Sequence, residues 1–230
     1  MLAIVSSDDK YINNILEKLK YEKLDSPNKC KIYKCNYNNH EFIISSLGYG
    51  KVNIGSNLRY ICDKFNIKVI LCIGTAGSIY ERLDIFSSII STKTLQFDVD
   101  FIPNGYLSSV IPKLESGVYN SNDDLNECLI RASSKCGVNY TCDLIATSDM
   151  FVSNNSLSSS IKKGYNAKAV DCESGSVGEY AFVNSIPYSC IKVISNYAYN
   201  GSIRQYNLYD NEASNIMQKI VYKFLKEFYE

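Results

Sequence analysis

The sequence predicts an α/β protein: a central twisted mixed β-sheet with helices on both sides, folded as one domain over residues 1–230. Three observations lead there. Short apolar runs rich in Val and Ile alternate with stretches of helical spacing along the whole chain. No linker, repeat or compositional break divides it. At 230 residues and 46% hydrophobic side chains, the chain is large enough to bury a full core without a disulfide or metal.

Taken in order, residues 2–5 read as a strand. The small polar run Ser6-Ser7-Asp8-Asp9 then caps a helix that carries Ile12, Ile15, Leu16 and Leu19 on one face. Further strands are predicted over residues 41–46, 68–73, 85–92, 143–147, 167–171 and 188–195, and helices over 52–65, 123–136, 173–184 and 212–229. The last is the clearest, because Ile216, Ile220, Val221, Phe224, Leu225 and Phe228 fall on one stripe. The tyrosine-rich stretch before it, residues 197–209 with Arg204, reads as a loop able to close over a ligand.

Composition excludes several functions. With 24 basic and 24 acidic side chains, and no run of five Lys or Arg, the chain lacks the electrostatic footprint of a nucleic-acid binder. Its longest apolar runs, residues 68–73 and 186–194, fall far short of the roughly 20 residues that cross a bilayer. The first residues have no basic lead and no long apolar stretch, so the expected location is cytoplasmic. Nine scattered cysteines, an odd number, are expected as thiols. Cys30 and Cys35 have no second pair and only His40 nearby, so no metal site is expected. His40, the one histidine, sits in an Asn-Asn-His turn, which argues against a histidine-dependent triad.

Chemistry concentrates in four segments. Leu71-Cys72-Ile73-Gly74-Thr75-Ala76-Gly77-Ser78-Ile79 ends an apolar strand in glycines and small residues that let backbone and hydroxyl groups approach a ligand. Leu144 to Val152, Ala169 to Ser174 and Ile191 to Ala198 follow. In order and spacing these segments resemble the nucleoside phosphorylase/nucleosidase superfamily, most closely the 5′-methylthioadenosine/S-adenosylhomocysteine nucleosidases. Phe97-Asp98-Val99-Asp100 matches an aspartate-rich segment of the same family, and the resemblance covers essentially the whole chain.

The resemblance implies a role for each matching residue. Thr75, Ala76 and Gly77 form the glycine loop. Phe151 stacks on the purine and the Val152 backbone bonds its edge. Cys172 replaces a methionine under the ribose, and Glu173 holds the ribose hydroxyls. Glu173 suits that place chemically, since a carboxylate accepts hydroxyl protons and stabilises the cationic sugar of N-glycoside cleavage. Asn104, Tyr106 and Pro112 match a segment that reaches into the partner subunit's pocket, which implies a homodimer.

Three departures bear on the reaction. Asn196 stands where the nucleosidases carry an aspartate that protonates the base; an amide donates a hydrogen bond but delivers no proton. Tyr11 aligns with a glutamate that orients the attacking water, and Asp9 in the same turn is the candidate replacement. Lys192 stands for an arginine and keeps the charge. Only four arginines are present, Arg59, Arg82, Arg131 and Arg204, and the place of a phosphorylase arginine near the glycine loop is Cys72. Water is therefore the expected acceptor.

These readings predict hydrolysis of a purine nucleoside of the methylthioadenosine/adenosylhomocysteine type, without cofactor or metal, with Glu173, Asn196 and Asp9 at the reaction centre. Two alternatives stay open: a 6-oxopurine nucleosidase or purine nucleoside phosphorylase, and a catalytically weak nucleoside-binding protein.

Overall fold

The computed structural model describes residues 1–26, 29–114 and 116–230. The chain runs β1 (Leu2–Ser6), a short 3₁₀ turn (Asp9–Tyr11), α1 (Asn13–Leu16), β2 (Lys20–Leu24), β3 (Lys31–Tyr37), β4 (His40–Ser46), α2 (Lys51–Phe65), β5 (Val69–Ser78) and β6 (Ser88–Gln96). It continues through β7 (Val118–Asn120), α3 (Asp123–Lys135), β8 (Tyr140–Thr147), α4 (Asn155–Tyr165), β9 (Ala169–Asp171), α5 (Ser174–Val183), β10 (Tyr188–Tyr197) and α6 (Ser202–Tyr229).

The strands form one mixed sheet. β1 lies parallel between β4 and β5, and β10 is parallel to β5 but antiparallel to β6. Because β10 pairs with both β5 and β6, the strands β5, β10, β6, β8 and β9 close on one another, while β1, β4, β3 and β2 extend outward as an open flank.

Alternation along the buried strands sends successive side chains to opposite faces. Ala3, Val5, Ile70 and Cys72 pack with Ile54, Leu58 and Ile61 of α2 and Val177 and Ala181 of α5. Leu2, Ile4, Leu71, Ile73, Ile191 and Val193 pack on the other face with α3 and the Met217–Leu225 stripe of α6. Helices thus cover both faces. Their ends follow local chemistry: Asn122 and Asn154 accept the Leu125 and Leu157 backbone N–H groups at the starts of α3 and α4, and left-handed Asn66 and Asn166 close α2 and α4.

Several elements differ from the sequence-based expectation, each for a visible reason. β2 is an edge strand whose residues are mostly exposed, so it lacks an apolar rhythm. β7 is three residues long. α4 is serine-rich and buries only Ser158 and Ile161. The helix expected after Asp9 shrinks to the 3₁₀ turn and the single turn of α1. The expected loop over residues 197–209 is largely helix, because α6 begins at Ser202. His40 is the first residue of β4 rather than a turn residue, and its exposed ring stacks on Tyr229 at 4.5 Å.

α5 sits against β6 so closely that only glycine fits at the contact. A Cβ on Gly178 would lie 2.2 Å from Thr94 Oγ1 and 2.7 Å from the Tyr188 hydroxyl, two groups hydrogen-bonded to each other at 3.0 Å. Gly178→Ala is expected to cost about 1–3 kcal/mol by overpacking, measured as a lower urea midpoint at unchanged slope.

Candidate active site

A cleft enclosing about 530 Å³, part of it open to solvent, lies at the carboxyl ends of β1, β5, β9 and β10. That is where open α/β sheets commonly bind ligands. Its walls are Ser7, Tyr11, Tyr49, Thr75, Ala76, Gly77, Met150, Phe151, Val152, Val170, Asp171, Cys172, Glu173, Ser195, Asn196 and Tyr206.

One end of the cleft is ionic. Lys192, on β10 with its side chain fully buried, places Nζ 3.0 Å from Glu173 Oε1 and 3.2 Å from Asp171 Oδ2. Asp171 is fully engaged: it also accepts from the Thr147 hydroxyl and from the Ser174 backbone and hydroxyl. Glu173 accepts from Ser7 Oγ at 3.1 Å and from the Cys172 backbone N–H at 3.1 Å. A carboxylate has about four acceptor positions, so Glu173 keeps capacity facing the cleft.

Burial raises the Glu173 carboxyl above the usual carboxylate range, and the Lys192 ammonium pulls it back down. For Lys192 itself, burial opposes the charge but is outweighed by its neighbours Cys72, Glu173 and Asp171, which hold it well above the ordinary lysine value. The two carboxylates carry that effect, since the buried Cys72 thiol is itself pushed up and stays neutral. Gly74 makes this approach possible: a Cβ there would sit 2.9 Å from Glu173 Oε1 and 3.0 Å from Lys192 Nζ.

The other end is apolar and aromatic. Phe151, 45% exposed, meets Tyr206 of α6 edge to face at 5.6 Å, and buried Val152 lies beside it. The turn carrying them is anchored by Asp98, which accepts from the Asp149 backbone N–H at 3.2 Å and pairs with Lys51 at 2.7 Å. Cys172 lies on the floor, its thiol pushed by burial up to about 12 and therefore neutral.

Between the two ends stands Asn196. Regular strands point neighbouring residues to opposite faces, yet Ser195 and Asn196 both face the cleft. The reason is a bulge: the register with β5 jumps between Ile194 and Asn196, leaving Ser195 extra. The Ser195 hydroxyl donates to Asn196 Oδ1 at 3.0 Å. That contact occupies the amide oxygen and leaves the NH2 group as the donor.

Of the residues singled out from the sequence, Thr75, Ala76, Gly77, Phe151, Val152, Cys172, Glu173 and Asn196 come together around this cleft. Others do not. Asp9 is absent from its walls; its carboxylate is taken by Lys31 and by Ser46 Oγ. The expected glycine loop is strand: Gly74 to Ser78 stay in β5, paired with β10 and, from Gly77, with β9. The amides turned toward β10 and β9 therefore serve the sheet rather than a ligand. Asn104, Tyr106 and Pro112, expected to serve a partner's pocket, lie outside this chain's own cleft, the first two exposed. Arg204 sits exposed on α6.

Ser7, Tyr49, Met150 and Tyr206 escaped the sequence reading, as did Lys10 and Asp210 behind the wall. Tyr206 falls in the expected loop and Asp210 just past it, before the helix predicted over 212–229; on α6 their i, i+4 spacing puts them on one side. Among the described residues, no group of three or more His, Cys, Asp or Glu is arranged to hold a metal ion, and no helix is long and apolar enough to cross a membrane.

Comparison with known proteins gives a consistent picture. A family model of the phosphorylase superfamily matches residues 1–228. The aminodeoxyfutalosine nucleosidase of Campylobacter jejuni is 26% identical over 86% of either chain. The 5′-methylthioadenosine/S-adenosylhomocysteine nucleosidase of Staphylococcus carnosus is 26% identical over 98% of this chain and 99% of its own. Among solved structures, an aspartate-to-asparagine mutant of the Helicobacter pylori nucleosidase with 5′-methylthioadenosine in the active site superposes with a TM-score of 0.93 at 21% identity, covering 98% of each chain. A putative 5′-methylthioadenosine/S-adenosylhomocysteine nucleosidase from Francisella philomiragia superposes at 0.92 with 27% identity, again over 98% of each.

Proposed function

The chain belongs to the phosphorylase superfamily, and we propose that within it the protein hydrolyses the N-glycosidic bond of a purine nucleoside of the 5′-methylthioadenosine or S-adenosylhomocysteine type. One observation carries this reading. The cleft has a buried carboxylate at one end and an aromatic wall at the other, and among the described residues no Lys or Arg lines it.

Cleavage of the bond between sugar and base leaves positive charge on the ribose. Glu173 is placed to accept the ribose hydroxyl protons and to set its negative charge beside that cation, an effect that strengthens toward the transition state. Phe151 and Tyr206 suit the flat purine, with Val152 at its edge. A phosphate acceptor would call for forked cationic donors. Among the described residues the cleft has none, which favours water.

The direct test is base release from methylthioadenosine, adenosylhomocysteine, adenosine, inosine and guanosine, each with and without phosphate. Phosphate-independent release from the first two supports the reading, and a phosphate requirement overturns the choice of water. Silence across the panel together with tight binding by calorimetry makes the protein a nucleoside-binding one.

A second reading has its own observation. With its oxygen engaged by Ser195, Asn196 turns an NH2 donor toward the base, and a donor matches the 6-oxo group and N7 of hypoxanthine or guanine better than the amine of adenine. On this reading inosine or guanosine is the best substrate of the panel. Asn196→Asp is expected to raise kcat on adenine nucleosides about tenfold or more by restoring a proton donor, with no matching gain on inosine. An unchanged or lower rate would remove Asn196 from the reaction.

The same family reading makes the protein a homodimer. Val52 and Val183, 80% and 56% exposed, line one shallow groove, and Phe101, Ile102 and Leu107 are exposed on the segment that carries Asn104 and Tyr106. Exposed apolar side chains at these places suit a contact with a second copy. Light scattering should give twice the 25.9 kDa chain mass. Nine free thiols suit the reducing cytoplasm.

A further inference from the structure

Two hydroxyls in the cleft wall share a carboxylate that stands behind them. Asp210, on α6 and 4% exposed, accepts from Thr75 Oγ1 and from the Tyr11 hydroxyl at 3.3 Å. It also pairs with Lys10 Nζ at 2.6 Å. The Tyr11 and Thr75 oxygens are 3.0 Å apart, and both residues line the cleft while Asp210 does not. Asp210 lies one helical turn beyond Tyr206, so the helix side that gives the cleft an aromatic wall also gives it this carboxylate.

We propose that Asp210 is the positioning group for the attacking water, acting through the hydroxyls of Tyr11 and Thr75. This rests on the hydrolytic reading above. With both hydroxyl protons committed to Asp210, the two oxygens present lone pairs to the cleft. A water donating to them has its own lone pair free for the sugar.

The other carboxylates at the site have different partners. Asp171 is filled by Lys192, Thr147 and Ser174, and Glu173 is held by Lys192, Ser7 and the Cys172 backbone. Asp9 faces Lys31 and Ser46. Of the four, Asp210 is the one reached from the cleft through two wall hydroxyls, a relay along which it receives a proton.

The step balances as follows. The water oxygen bonds to C1′ while the C1′–N bond breaks and its electron pair leaves with the base. One water proton passes to Thr75 Oγ1 as the Thr75 proton moves to Asp210. That proton returns to solvent past Lys10, whose side chain is 32% exposed, and the base takes a proton from solvent.

The test is Asp210→Asn in the full-length protein, with kcat, KM, methylthioadenosine binding and melting temperature measured together, and with sodium azide as an added nucleophile. Azide is already anionic and needs no proton acceptor. The expected result is a kcat lower by about 100-fold, KM and binding within about twofold because Asp210 does not touch the cleft, and base release restored by azide with a glycosyl azide as product. Asp210→Glu, which keeps the carboxylate, should recover part of the rate without azide and serves if the asparagine variant does not fold.

An Asp210→Asn variant that hydrolyses at the wild-type rate defeats the role of Asp210 alone. Loss of kcat, binding and melting temperature together, without azide rescue and with no recovery in Asp210→Glu, makes the residue structural and defeats it too. A wild-type protein that releases base only with phosphate, or not at all, defeats the hydrolytic reading and the water-positioning role with it.

Discussion

Glu173→Gln is expected to lower kcat/KM for the best nucleoside by about 10³-fold, the scale lost when a group that stabilises transition-state charge is removed. Glutamine keeps the shape and one acceptor oxygen. What disappears is the negative charge facing the sugar, so kcat should fall more than KM rises.

The fold should survive. Asp171 still pairs with Lys192 at 3.2 Å. Burial has already raised the Glu173 carboxyl, so its ionised form is the one the folded protein disfavours. A carboxyl raised on folding contributes stability below its unfolded value and loses it as pH climbs through the folded one. A neutral side chain therefore costs little at pH 7, and melting temperatures should be close.

The same raised carboxyl sets the acid side of the activity profile. Protonation of Glu173 removes the charge the ribose needs, so wild-type kcat/KM should fall with decreasing pH while still above the ordinary carboxylate range. An acid limb at or below that range, or a glutamine variant of wild-type rate, would take Glu173 out of the reaction.

What could be read in the sequence was what repeats or clusters. Apolar runs in residues 2–5, 68–73 and 188–195 mark the buried strands because both sheet faces are covered, and the stripe from Ile216 to Phe228 marks the end of α6 because it packs on one face. Glu173, Phe151 and Cys172 were legible through motifs that lie on single strand ends. Invisible were features that depend on three-dimensional meeting.

Asp9 and Asp210 show the limit. Asp9 lies in the right turn, but β3 and β4 bring Lys31 and Ser46 to it and turn it away. Asp210 lies far along the chain, in a stretch whose Tyr, Asn and Gln content hides the helix, yet α6 carries it to Tyr11 and Thr75. The bulge at Ser195 is equally silent in sequence, since the pattern of residues 188–195 continues without a break through it.

Lys192→Met is expected to destabilise the protein by about 3–5 kcal/mol, the cost of stripping the partner from buried charge. From sequence this position reads as a charge-preserving variant of little consequence; in the fold it is a cation set between two buried carboxylates. Methionine approximates its volume, so packing loss is small and the deficit is electrostatic. Asp171 and Glu173 would then lose the cation between them, and the Glu173 carboxyl, which Lys192 now pulls down, would rise further. Its proton would bind over a higher pH window, so the stability deficit measured by urea should be largest at neutral pH and shrink as pH falls through that raised value. A packing defect would show no such pH dependence. Activity should fall along with stability even where the variant stays folded, because a Glu173 protonated at neutral pH cannot supply the charge the ribose requires. Lys192→Arg, which keeps the cation, should retain most of both. Equal stability of the methionine variant at neutral and acidic pH would mean that the ion cluster does not hold the cleft together.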